Sequence, residues 1–467
     1  MYLCKKNMKR FIESYFQEWK ISPRRKPMII RGARQVGKTY LVDKFGRENF
    51  KYYLKINPEQ DSSLKSIFGS KNPQLIVTEI SALFNVPVVE GETLLFIDEI
   101  QLLPEAIAAL RYFYEEIPGL HVITAGSLLD HTLNELPYSM PVGRVEFAYM
   151  YPLCFEEFLL ANKQEGLIAY INDYSLEKPF SQAVHQKLSE YLRLYFFIGG
   201  MPEAVDVYLK TKNLMEVEKV HSEILTSFKY DFAKYGTRKQ QDYLNECLEY
   251  SANNVGKKVK YVNINKNVHS SNLKEAMLKL ELSRIIHLVR RTKSSKVPIT
   301  QYVDKDIFKP VFLDIGLMCN LSRIKLSDVS NLVSDFEGAL AEQFIGQELL
   351  ASFEYFEDAK LYYWSREAKN ANAEIDYLLQ LGNKIYPLEV KAGKTGTLKS
   401  LQVYLAEKNE HTGIRFNLDL PSLGNKLSAT INVKGVMKTL EYKLISLPLY
   451  FAGNLKSKQI SGLDIQK

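Results

Sequence analysis

The chain has 467 residues, 46% of them hydrophobic and 25% charged, with a formal net charge of +7. That length is too great for one ordinary core and suggests roughly three domains, and the composition is that of a soluble globular protein. No apolar run approaches the ~18–20 residues that span a bilayer, so no membrane partner is expected, and the isolated Cys4, Cys154, Cys247 and Cys319 point to a reduced, cytoplasmic setting without structural zinc.

The N-terminal stretch lacks an uninterrupted apolar core and a small-residue cleavage site, which argues against a secretory signal. Its Phe11, Ile12, Tyr15, Phe16 and Trp19 recur at helical spacing, which predicts an amphipathic helix packed on the first domain. Next, Met28, Ile29 and Ile30 run into Gly32-Ala33-Arg34-Gln35-Val36-Gly37-Lys38-Thr39, a match to G-x-x-x-x-G-K-[ST] between a strand and a helix. The glycines let backbone N–H groups wrap phosphate oxygens at the positive end of the following helix. Lys38 would reach the β- and γ-phosphates of ATP, and Thr39 would hold Mg²⁺.

About sixty residues on, Leu94 to Ile97 read as a buried strand ending in Asp98 and Glu99, where ligands bind in open α/β sheets. Asp98 would coordinate Mg²⁺ through water, and Glu99 would act as general base. The following strand, "LHVITAGSLLD", ends at Ser127, which either bonds the water or γ-phosphate or simply caps a helix. Arg144, after a glycine, either stabilises transition-state charge in its own subunit or in that of a homo-oligomeric neighbour, or forms a surface ion pair.

Taken together, "RGARQVGKT", "LLFIDEIQ", "ITAGS", "GRVEFAYMYPLCFEEF" and "YFFIGGMPEA" resemble, in order, the AAA-type ATPases of bacteria and archaea that carry a C-terminal domain of unknown function. The resemblance implies an α/β fold: a three-layer αβα P-loop ATPase core over 1–150 and a helical lid over 151–236. By the same likeness Pro202, in Gly199-Gly200-Met201-Pro202-Glu203, would approach the nucleotide base; otherwise this step only punctuates two helices.

From Cys154 to Gly236 apolar residues repeat at three and four, which predicts mostly helix. The segment 237–325 then reads as helix, short helix, helix and strand, the order of a winged helix. From Gln240 to Pro310 there are thirteen Lys and Arg against seven Asp and Glu, which permits a nucleic-acid partner. Lys257, Lys258, Lys260, Arg290, Arg291 and Lys293 are the candidates for DNA phosphate contacts, or they form a solvated face of a protein-binding module.

The last segment, 326–467, holds Glu342 inside a helical pattern and then two apolar runs, "AEIDYLLQL" and "KIYPLEVKAG", joined by Gly-Asn. In a strand Glu389 and Lys391 point the same way, so Glu374, Asp376, Glu389 and Lys391 meet on one side of a hairpin, as a metal site or as a salt-bridged sheet. Helix, strand, strand pair, helix resembles the restriction-endonuclease-like core with its E-x-K motif. That resemblance implies Asp376, Glu389 and Glu342 as Mg²⁺ ligands and Lys391 as the cation orienting the attacking water, with Glu374 in place of the usual Pro-Asp step.

Overall fold

The computed structural model describes residues 8–126, 140–294, 296–324, 334–366, 373–391, 398–433 and 435–455. Its first sheet contains β1 (Met28–Arg31), β2 (Tyr52–Ile56), β3 (Thr93–Asp98), β4 (His121–Ala125) and β5 (Glu146–Tyr149) in the order β2-β3-β4-β1-β5. Every pairing is parallel. Parallel strands need helical crossovers that cover both faces, and the side chains show it. Ile29, Leu95 and Ile97 pack in one apolar cluster, whereas Met28, Ile30, Leu94 and Phe96 pack in another. Successive residues of each strand therefore feed opposite layers, and full burial of each large side chain contributes about 1.5–3 kcal/mol. The N-terminal helix, Ile12–Ile21, lays Ile12, Phe16 and Trp19 onto the second cluster.

Five helices follow, Phe155–Ala161, Glu165–Asp173, Gln182–Ile198, Pro202–Thr211 and Leu214–Asp231. Pro202 occupies the first turn of its helix, where a missing N–H costs nothing. The Gly-Gly step before it is dictated by close approach. A Cβ on Gly200 would lie 2.0 Å from the carbonyl oxygen of Leu153, so no other residue fits.

Helices Arg238–Asn253, Tyr261–Ile264 and Ser270–Leu282 come next, then the antiparallel pair β6 (Ile286–Thr292) and β7 (Val303–Phe312). This pair is not a separate wing. β6 also pairs with β8 (Tyr362–Arg366), and one eight-stranded sheet continues through β9 (Ala373–Leu381), β10 (Lys384–Val390), β11 (Thr412–Asn417), β12 (Ser422–Val433) and β13 (Val436–Pro448) in the order β12-β13-β11-β10-β9-β8-β6-β7. Hydrogen bonding thus crosses the boundary expected between 237–325 and 326–467. β9 and β10 form the expected hairpin, with Leu381 opposite Lys384 and Gly382 at φ 58° in the turn, a conformation glycine adopts without strain. β11 returns parallel to β10 after helix Lys399–Lys408.

Helix Ser334–Ala351 joins these parts. Its Leu340, Phe344, Ile345, Leu349 and Leu350 are buried as the spacing predicts, but so are Gln343, Gln347 and Glu348. Buried polar groups need partners, and each one finds its partner in another segment. Gln343 brackets Phe312, accepting from its N–H at 2.8 Å and donating to its carbonyl at 2.7 Å. Gln347 accepts from the Ile315 N–H at 2.9 Å and donates to the Tyr195 hydroxyl at 2.8 Å. Glu348 accepts from the Phe155 N–H at 3.0 Å.

Candidate functional site

The loop between β1 and helix Lys38–Asn49 is built for an anion. Gly32 has φ 155°, and a Cβ there would lie 2.3 Å from the Met150 carbonyl oxygen; Gly37 turns left-handed at φ 98° just before the helix. Ala33 and Val36 are buried. The Lys38 ammonium is also buried and donates to the carbonyls of Gly32 at 2.8 Å and Ala33 at 2.7 Å. Burial pushes Lys38 down to about 8, against the pull of Glu99 and Asp98. A buried ammonium held only by neutral carbonyls is a strong binding group for phosphate oxygen.

Thr39 Oγ1 donates to Asp98 Oδ1 at 3.1 Å, bringing the two expected Mg²⁺ residues together. Asp98 also pairs with Lys55 at 3.2 Å, yet burial raises its pKa more than Lys55 lowers it. Glu99 takes the left-handed conformation, φ 51°, and accepts from the Gln101 amide at 2.5 Å. These residues fit Mg²⁺–ATP, with oxygen donors at the strand end and a cation in the loop.

Two further contacts tie the loop to the helices that follow. Arg34 pairs with Asp231 and the Gln35 amide donates to Ser227 Oγ at 3.2 Å, both on helix Leu214–Asp231. Pro202 borders the loop itself, because a Cβ on Gly37 would meet its Cγ at 3.4 Å. Arg10, which sequence reasoning missed, donates to the Val36 carbonyl at 3.2 Å and the Tyr151 carbonyl at 2.7 Å while pairing with Glu157 at 3.0 Å. Its partner Glu157 lies 147 residues away, and no local pattern marks the pair.

Arg144 is placed elsewhere. Glu146 stands opposite Met28 at the start of β1, whereas the loop leaves its far end, so Arg144 lies toward the opposite end of the strands from the loop. It pairs with Glu115 at 2.8 Å. Ser127 lies outside the described residues.

Residues 24–159 match the family model of the AAA domain. This is an AAA-type P-loop ATPase domain. Beyond the AAA domain, residues 189–328 and 337–421 match two domains of unknown function, DUF8612 and DUF4143. No curated protein matches the chain. Among solved structures, the chain is similar to the Aeropyrum pernix ORC2 protein in ADPNP–ADP complexes, at 12% identity over 71% of this chain and 98% of that one, with a TM-score of 0.35. It is also similar to the Thermotoga maritima RuvB Holliday junction branch migration motor, at 15% identity over 63% and 90%, with a TM-score of 0.28. Scores this low add nothing to the residue geometry.

The second polar cluster lies in the C-terminal sheet. Glu389 pairs with Lys391 at 2.7 Å, and Asp376 Oδ2 accepts from the Val390 N–H at 2.8 Å. Glu342 and Glu374 face the same place, but a residue absent from the sequence reasoning stands among them. Lys309, on β7, pairs with Glu374 and lies 3.7 Å from Glu342 and 3.6 Å from Asp376. Burial alone would lower its pKa; the carboxylates of Glu342, Asp376 and Glu374 raise it instead. Among the described residues no group of three or more His, Cys, Asp or Glu is arranged to hold a metal ion. Of the expected ligand set, Glu342 and Asp376 thus stand on either side of the Lys309 ammonium, and Glu389 is paired with Lys391.

The six basic residues expected to meet DNA differ in their surroundings, and Lys258 is half-buried. Arg290 is bound to Glu281 through two contacts of 2.6 Å, and Arg291 to Asp304 at 2.8 Å. Lys257, Lys260 and Lys293 are exposed. No helix among the described residues is long and apolar enough to cross a membrane.

Proposed function

We propose that the protein is an ATP-hydrolysing switch whose nucleotide state moves the helices of 151–236 against the rest of the chain. The observation that carries the reading is Lys38, buried and bonded only to carbonyls of its own loop. Mg²⁺, when bound with ATP, supplies charge neutralisation at the phosphates. Lys38 would then exchange its carbonyls for phosphate oxygens, Thr39 and Asp98 would hold the metal side, and Glu99 would accept the proton of the attacking water.

Motion of the loop reaches the helices through Arg34–Asp231, Gln35–Ser227 and Pro202. From there Gly200 donates to Asp314 at 2.6 Å, and Asp314 caps helix Ile315–Leu321 through the Leu317 N–H at 3.0 Å. Gln347 bonds the same turn at Ile315. These contacts, apolar at Pro202 and polar on either side of it, support coupling between the phosphate loop and the C-terminal sheet. The three helices before β6–β7 are proposed as a winged-helix-like unit, and helix Ser334–Ala351 with β8–β11 as a restriction-endonuclease-like core, on element order. DNA is the proposed partner of the exposed Lys257, Lys260 and Lys293.

ATP binding and turnover test the reading. Lys38→Ala should lose nucleotide binding at least a hundredfold, while Glu99→Gln should bind ATP normally and hydrolyse it at least a hundredfold more slowly. Equal hydrolysis by the wild type and both variants overturns it.

A further inference from the structure

The carboxylates of the C-terminal sheet are not an open cluster. Lys309 carries its ammonium to the centre of them from β7, a strand that pairs with β6 and not with the strands that bear the acids. Its side chain is only 3% exposed, and beyond Glu374, Glu342 and Asp376 it faces the Tyr363 ring at 5.1 Å, a further favourable neighbour for a cation. Two further oxygens are engaged, Glu389 Oε1 with Lys391 and Asp376 Oδ2 with the Val390 N–H, while Glu389 Oε2 is buried without a hydrogen-bond partner. On its outer side Glu342 is closed by the turn at Gly256, where an added Cβ would lie 2.2 Å from Glu342 Oε2.

A hard divalent ion needs several oxygens within about 2.0–2.6 Å of a common point. Here the common point of Glu342, Glu374 and Asp376 is the position of an ammonium, and a second cation at that point would meet its repulsion. We propose that Lys309 is the resident cation of this centre, taking the place a divalent metal would need. The centre then serves as a polar joint that fixes β6–β7 to the C-terminal sheet, and it does not cut phosphodiesters. This inference does not depend on ATP hydrolysis by the N-terminal domain.

Manganese titration of the full chain without nucleotide, followed by the electron paramagnetic resonance signal of free Mn²⁺, tests it. Expected is equal Mn²⁺ uptake by wild type and Asp376→Asn, with plasmid DNA left intact by both. Lys309→Met should bind at least one additional Mn²⁺ at least tenfold more tightly than wild type, and Lys309→Met/Asp376→Asn should lose it. Lys309→Gln, which keeps a hydrogen-bond donor, replaces Lys309→Met if the latter does not fold. Two outcomes overturn the proposal: wild-type Mn²⁺ binding or DNA cleavage that Asp376→Asn abolishes, or a folded Lys309 variant that takes up no additional Mn²⁺.

Discussion

Lys38 and Lys309 are both buried lysines, and their surroundings push them in opposite directions. Around Lys38 the nearest partners are carbonyl oxygens of Gly32 and Ala33, and burial brings its pKa down to about 8. Around Lys309 three carboxylates outweigh burial and drive its pKa up. A buried cation bonded directly to neutral carbonyls, with its nearest acids acting only from a distance, is costly, so the first lysine marks a place that a ligand anion can complete. The second has its anions already. One lysine belongs to a binding site and the other to a finished structural centre, although sequence patterns alone suggest chemistry at both.

The comparison breaks most directly at Lys309. Lys309→Met leaves Glu342, Glu374 and Asp376 without their cation, and removing one partner of a buried ion pair typically costs about 3–5 kcal/mol. Urea unfolding should register a loss of that order, and adding Glu342→Gln should recover part of it. A loss below about 1 kcal/mol would mean that the ammonium is not the counter-charge of the cluster.

A buried acid at the joint of the helices offers the next largest effect. Burial, aided by Glu157 and Glu156, pushes the Glu348 carboxyl from 4.5 up to about 8. The folded chain thus holds this proton more tightly than the unfolded chain. Stability from Glu348 is fully present below pH 4.5 and is lost as pH rises through 8, with a slope of at most about 1.4 kcal/mol per pH unit. Glu348→Gln should flatten the fall in stability between pH 5 and pH 8. An unchanged slope would show that the carboxyl titrates normally.

Lys38 sharpens the comparison from the ligand side. Its ammonium form is the one that binds phosphate, so affinity is fully present well below pH 8 and falls above it. Titration with a non-hydrolysable ATP analogue should give about tenfold weaker binding at pH 9 than at pH 7, with proton uptake at the higher pH. Affinity that is flat between these values would place the lysine's free-state pKa well above 8.

These sites differ in how far sequence discloses them. The phosphate loop is readable because its requirements are local: two glycines, a lysine and a threonine within eight residues, between a strand and a helix. The acids at the end of β3 follow from the same logic. The hairpin of Asp376 and Glu389 was legible from alternation and a Gly-Asn turn. Lys309 was not, because it reaches the acids only when β6 pairs with β8, a non-local event between segments that element order had divided at 325/326. Arg10 and Glu157 were hidden for the same reason. Local pattern identifies what a residue type can do, and only packing decides which charge is already answered.

The smallest expected effect concerns Arg144, which extends the comparison to a second copy of the chain. Within one chain it is bound to Glu115 near the start of β5, at the end of the strands opposite to the one that carries the Lys38 loop, and exposed pairs of this kind contribute little to stability. Arg144→Ala should therefore leave the unfolding midpoint unchanged and, at dilute protein, the hydrolysis rate unchanged too. An arginine acting in a neighbour's site behaves differently: hydrolysis rises with protein concentration, falls at least tenfold in Arg144→Ala, and recovers when that variant is mixed with Lys38→Ala, which lacks a working loop but retains the arginine. Recovery on mixing would add an intersubunit cation to the phosphate site. Without it, the charge presented to phosphate is Lys38 and the loop backbone of a single chain.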